Sequence, residues 1–102
     1  MSKDEIKSKI RDAIVADPSV GEINRASLFG SYLHGNERAD SDVDLLVEFK
    51  PSATVGLFEL VSMQRRIGDF LGKKVDLLTP NSISKFFRDK VLDEAELIYE
   101  GR

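Results

Sequence analysis

The segment Val43–Phe49 constrains the fold more than any other part of the chain. Alternate residues of a β-strand point to opposite faces of a sheet, and this segment alternates cleanly. Four apolar side chains share one face: Val43, Leu45, Val47 and Phe49. With the residue just before the segment, the other face carries three acids and one leucine: Asp42, Asp44, Glu48 and Leu46. The pattern predicts a half-buried strand with a carboxylate-bearing face.

Helices are predicted on both sides of this strand. Ser2 has the spacing of an N-terminal cap, with Glu5 three residues on, and the first helix is expected to end near Ala16. A second helix is expected over Val55–Leu71, followed by a capping Gly72. Its apolar stripe is predicted from residues at helical spacing: Leu57, Leu60, Val61, Gln64, Ile67 and Leu71.

Three further strands and a last helix complete the expected fold. The strands are predicted at Asn24–Phe29, Lys74–Thr79 and Glu96–Glu100. Pro80-Asn81-Ser82 is expected to open the last helix, which carries Ile83, Phe86, Phe87 and Val91. The order predicts an α/β (α+β) domain over residues 1–102, with a short mixed sheet of about four strands flanked by helices.

Composition narrows the classes of function. The formal net charge is -3, which does not favour a long nucleic acid as partner. Small basic clusters, such as Arg65-Arg66 and Lys73-Lys74, are interpreted as solvated helix faces. No apolar run is long enough to span a membrane, and the chain has no cysteine, so a cytoplasmic protein without a thiolate site is expected.

Asp42 and Asp44 are the first candidate site residues. On a strand their carboxylates point the same way and each resists ionisation beside the other. A divalent cation with oxygen ligands would relieve this repulsion. An ordinary acidic strand end on the surface is the alternative, and the pair alone does not decide between them.

Gly30-Ser31 and Asp76 extend this candidate site. Glycine lets the backbone turn sharply near a ligand, and the following amides can face an anion. An ordinary strand-to-helix turn is the alternative interpretation of Gly30-Ser31. Asp76 lies within an apolar strand and can face the same cation if that strand adjoins Val43–Phe49. Three carboxylates could hold two Mg²⁺ ions. A salt bridge from Asp76 to Lys73 or Lys74, and Glu48 as third ligand, remain open.

Together these motifs resemble the polymerase-beta-like nucleotidyltransferase superfamily. Gly30-Ser31 is followed after ten residues by Asp42-Val43-Asp44, and Lys74-Val75-Asp76-Leu77-Leu78 supplies a third aspartate. The closest resemblance is to the minimal nucleotidyltransferases, antitoxins encoded beside HEPN-domain toxins. The likeness covers nearly the whole chain.

The resemblance implies a reaction and a role for each residue. AMP would pass from ATP to a hydroxyl, expected to be a tyrosine of a partner HEPN toxin, with release of pyrophosphate. Gly30 and Ser31 would hold the β- and γ-phosphates, Asp42 and Asp44 would ligate both metals, and Asp76 would ligate the metal at the acceptor and help remove its proton. His34 departs from the family, where many relatives have arginine, and is interpreted as a loop residue.

Two other functions are consistent with these letters. A non-catalytic antitoxin would block its toxin by contact and keep the site as a relic. An enzyme acting on a small hydroxylated molecule, such as an aminoglycoside, is expected to need an acceptor domain that this short sequence does not show. The intact Asp42, Asp44 and Asp76 favour the protein adenylyltransferase.

Overall fold

Three helices alternate with four strands in the computed structural model, which describes residues 2–30, 32 and 42–101. In chain order the elements are α1 (Lys3–Ala16), β1 (Ile23–Phe29), β2 (Val43–Phe49), α2 (Leu57–Leu71), β3 (Val75–Leu78), α3 (Lys85–Glu94) and β4 (Glu96–Glu100). Two short 3₁₀ turns lie at Val20–Glu22 and Pro80–Ser82.

The four strands form one mixed sheet in the order β3-β2-β1-β4. Strand β1 pairs antiparallel with both β2 and β4, whereas β2 and β3 run parallel. The predicted fold class, a short mixed sheet flanked by helices, is confirmed. The parallel β2–β3 pair is joined through α2, the crossover that parallel strands require.

Helices α1 and α2 cover one face of the sheet and enclose the core. Strand β2 contributes its apolar face as predicted, with Val43, Leu45 and Val47 fully buried. The two helices meet this face with isoleucines and a methionine: Ile6, Ile10, Ile14, Met63 and Ile67. The opposite face carries Asp44 and Leu46, and Leu46 lines a cavity together with Leu92 of α3.

The predicted helix ends are largely confirmed. The Ser2 hydroxyl accepts a hydrogen bond from the Glu5 amide at 3.1 Å, and α1 ends at Ala16. Helix α2 begins at Leu57 rather than Val55 and ends at Leu71. As predicted, Gly72 caps it, with a φ of 69°, the left-handed conformation that glycine favours. The last helix begins only at Lys85, because Thr79 and Ser82 close a separate turn and Ser84 provides a new cap.

Two residues of the predicted apolar stripe of α2, Leu57 and Val61, are not buried. The buried residues are Met63, Ile67 and Leu71, one every four positions. This centres the buried face away from Val61, which is 52% exposed, and from Leu57. Helix α3 has no buried residue, so its apolar positions Phe86 and Phe87 lie largely in solvent.

A buried ion pair ties the end of α1 to α2. The Asp17 carboxylate is almost fully buried and accepts hydrogen bonds from Arg66 Nε at 2.8 Å and Nη2 at 3.1 Å. It also accepts from the Ser19 amide at 2.9 Å. Arg66 is therefore structural rather than part of a solvated face. Within the described residues, no helix is both long and apolar enough to cross a membrane.

Candidate active site

Asp44 and Asp76 lie side by side on the sheet. They are directly paired in the parallel register of β2 and β3, so both side chains leave the same face about 4.8 Å apart along the hydrogen-bonding direction. Asp42 immediately precedes β2. Glu48 lies four residues beyond Asp44, or about 13 Å along the strand, which makes it a poor third ligand. The strand order thus brings Asp76, not Glu48, to the carboxylate pair.

The surroundings of Asp44 destabilise its ionised form. Burial first, and then the negative charges of Asp76 and Asp42, raise its pKa from the ordinary 3.8 to about 6. Each cause disfavours the ionised form, and a divalent cation would offset all of them. A hard cation such as Mg²⁺ binds oxygen ligands, and neighbouring carboxylates whose charges are not neutralised provide them. The residues present therefore fit that ion.

A lysine supplies part of the missing positive charge. Lys74 Nζ lies 3.6 Å from Asp42 Oδ2, whereas among the described residues no ion pair involves Asp76. In that part of the chain, no three acidic or histidine side chains converge tightly enough to enclose a metal. This is the arrangement expected when carboxylates repel and one of them turns to a nearby ammonium.

Gly30 brings the chain close to Asp44. It follows β1 with φ of 80°, a conformation that favours glycine, and Phe29 pairs with Asp44 across the sheet. A Cβ on Gly30 would overlap the Asp44 carboxylate. Glycine is therefore required here for the room it leaves Asp44 as well as for its backbone conformation. The other predicted loop residues, Ser31 and His34, lie outside the described residues.

The connection from α2 to β3 adds positive charge next to the carboxylates. Tyr32 is only 3% exposed and belongs to the core. Lys73 Nζ lies 5.7 Å from the centre of its ring. Lys73, Lys74 and Arg65 line one open cavity of about 560 Å³. Lys73 is thus directed to Tyr32 and Lys74 to Asp42, and both follow the helix rather than lie on its face, although the Lys74 side chain is 73% exposed.

Comparison with known families decides the identity of the fold. The profile of the polymerase beta nucleotidyltransferase family matches residues 8–102. The chain belongs to this family. The resemblance stated from the two motifs and the third aspartate is confirmed, and the protein is a nucleotidyltransferase by family, with a nucleotide as substrate.

Three similar proteins illustrate this relationship. A provisionally named protein adenylyltransferase of Methanocaldococcus jannaschii, MJ0435, is 39% identical over 93% of this chain and 96% of its own length. The solved structure of a provisionally named minimal nucleotidyltransferase is 29% identical, with a TM-score of 0.74 over 93% of this chain and 94% of that one.

The third is the MNT antitoxin solved in complex with a tri-AMPylated HEPN toxin from Shewanella oneidensis. It has a TM-score of 0.59 and 21% identity, over 98% of this chain and 70% of that one. At this identity the likeness shows a shared fold. It also shows that the fold occurs in an antitoxin bound to a modified toxin.

Proposed function

We propose that this chain is a Mg²⁺-dependent protein adenylyltransferase that transfers AMP from ATP to a hydroxyl of a HEPN-domain toxin and thereby acts as its antitoxin. The observation that carries the proposal is the direct pairing of Asp44 with Asp76, with Gly30 packed against the Asp44 carboxylate. The adenylyltransferase relative that matches nearly the whole chain supports the reaction. The antitoxin complex of the same fold supports the partner.

Each site residue has a proposed part in the reaction. Gly30 and Ser31 hold the β- and γ-phosphates through the loop backbone and the serine hydroxyl. Asp42, Asp44 and Asp76 hold the metal, expected as two ions, which would neutralise charge on the phosphates. The contribution of the protein is then mostly positioning and charge compensation.

The transfer is a single displacement at phosphorus. The acceptor hydroxyl oxygen, from a tyrosine of the toxin, attacks the α-phosphorus of ATP. The bond from that phosphorus to the oxygen bridging to the β-phosphate breaks, and pyrophosphate leaves with its electron pair. We assign Asp76 to the acceptor side of the site, so its carboxylate receives the acceptor proton. Because the donor is ATP, we place the reaction in the cytoplasm.

A non-catalytic antitoxin that acts by contact is the second candidate. Exposed aromatic side chains favour it, since Phe58 on α2 and Phe86 on α3 are 88% and 83% exposed. Large exposed apolar side chains are typical of partner surfaces when they cluster. Such contact would also be needed by the enzyme, so chemistry on the partner must separate the two candidates.

The test is the intact mass of the HEPN partner after incubation with this protein, ATP and Mg²⁺. We expect the partner to gain the mass of one adenylyl group per transfer. Asp42→Asn combined with Asp44→Asn should abolish the gain, because both metal ligands lose their charge. Asp12→Asn, an exposed carboxylate on α1, is the control for a change of charge alone. An unmodified partner that is nevertheless neutralised by wild-type protein would favour the contact-only antitoxin.

A further inference from the structure

The basic connection between α2 and β3 has no part in the function proposed above. Lys73 and Lys74 are consecutive, yet their ammonium groups are directed to two different parts of the candidate site. Lys73 lies over Tyr32, two residues after Gly30, and Lys74 lies against Asp42. Arg65 lines the same cavity, and Asp69 is the one acidic residue among the described ones that line it.

Lys74 places a positive charge where a metal ion bound by Asp42 would otherwise supply one. Its side chain is 73% exposed and its ammonium is 3.6 Å from the Asp42 carboxylate, so the contact is weak and easily exchanged. Asp42 precedes the strand on which Asp44 pairs with Asp76, so a positive charge beside it offsets the repulsion among these carboxylates in the absence of a metal. Once a divalent cation takes Asp42, the lysine is left without its partner.

The charges of the occupied site indicate where that lysine goes. Two Mg²⁺ ions about balance the charge of one ATP, which leaves the three aspartates uncompensated. A polyphosphate would therefore enter a site of net negative charge. Lys74 lies against the Asp42 carboxylate, and Lys73 lies over Tyr32, two residues after Gly30.

We propose that Lys73 and Lys74 form a cationic subsite for the polyphosphate of ATP, and that Lys74 exchanges the Asp42 carboxylate for a phosphate oxygen when Mg-ATP binds. This inference rests on the proposed function, because it assumes that ATP is the nucleotide. Lys73, held over Tyr32, contacts the end of the polyphosphate nearest the Gly30 loop. Lys74 compensates Asp42 in the free protein and the phosphates in the complex.

Two binding measurements test the exchange. Lys73→Met and Lys74→Met keep the aliphatic stem and remove the charge. Each should weaken Mg-ATP binding about tenfold by calorimetry, the loss of a charge-assisted contact. Mn²⁺ alone, followed by electron paramagnetic resonance, should bind about twofold to fivefold more tightly to Lys74→Met, since the competing ammonium is gone. Lys74→Arg should retain most of the ATP affinity.

The control is Lys9→Met, which removes an exposed charge from α1, a helix that does not line this cavity. The ATP affinity of wild type and Lys9→Met should also fall more steeply with NaCl than that of the two site variants. Site variants that bind Mg-ATP as tightly as Lys9→Met overturn this inference alone. Weaker Mn²⁺ binding by Lys74→Met also overturns it, because the lysine would then support Asp42 rather than compete. Wild-type protein that binds no Mg-ATP overturns this inference and the proposed function together.

Discussion

Asp44→Asn should make the metal-free protein more stable at neutral pH. The pKa of Asp44 is raised from 3.8 to about 6, so folding disfavours its ionised form. A carboxyl with a raised pKa contributes stability that is complete below 3.8 and lost as the pH rises through about 6. The full shift corresponds to about 3 kcal/mol. Because the side chain is only half-buried, solvent screening reduces the expected gain to about 1–2 kcal/mol.

The assay is urea unfolding of wild type and Asp44→Asn between pH 4 and pH 8 without divalent metal. Their free energies of unfolding should differ least near pH 4, where Asp44 is protonated in the folded protein and about half ionised in the unfolded chain. The variant should gain stability with rising pH and level off above about pH 7. Asp12→Asn should show no such pH-dependent difference. A variant no more stable than wild type at pH 8 would refute the account of crowded, uncompensated carboxylates.

Two further substitutions test the frame of the site. Arg66→Ala should lower the free energy of unfolding by about 2 kcal/mol, because it leaves the buried Asp17 carboxylate without its ion-pair partner; equal urea midpoints would contradict this. Gly30→Ala should weaken Mg-ATP binding more than Ser31→Ala, because its Cβ displaces Asp44 and its φ is strained, whereas the serine change removes one hydroxyl contact worth about 0.5–1.5 kcal/mol. A calorimetric ranking in the opposite order would show that the loop acts through the hydroxyl rather than the backbone.

Local pattern was enough to predict the order of the elements and the strands that carry the candidate carboxylates. The alternation of Val43–Phe49 placed the core face and the carboxylate face of β2 correctly, because period-two burial leaves little choice of register. The predicted proximity of Asp76 depended on β3 lying beside β2. Sequence left that open, and the register now pairs Asp76 directly with Asp44. The roles predicted for Ser31 and His34 stay predictions.

Features that depend on distant contacts were missed. The Asp17–Arg66 pair joins residues far apart in sequence, so neither residue shows a local signal. The burial of Tyr32 in the core, with the Lys73 ammonium over its ring, also depends on such contacts. The sequence allowed a salt bridge from Lys73 or Lys74 to Asp76. Lys74 instead lies near Asp42, because the Val43 amide donates a hydrogen bond to the Lys74 carbonyl and holds Lys74 beside the start of β2. The direction of a side chain at the end of a strand depends on the neighbouring strand, and the sequence pattern does not show which strand that is.

The central claim is that this chain modifies its partner, and Asp76→Asn tests it most directly. In the proposed site Asp76 acts at the acceptor hydroxyl, whereas Gly30, Ser31, Asp42 and Asp44 hold the triphosphate and its metal. The variant should therefore keep much of the Mg-ATP affinity, measured by calorimetry, yet add no adenylyl group to the HEPN toxin and fail to neutralise it. If Asp76→Asn neutralises the toxin fully at equal stoichiometry, with no mass gain on the partner from either wild type or variant, the enzymatic account is contradicted and the contact-only antitoxin takes its place.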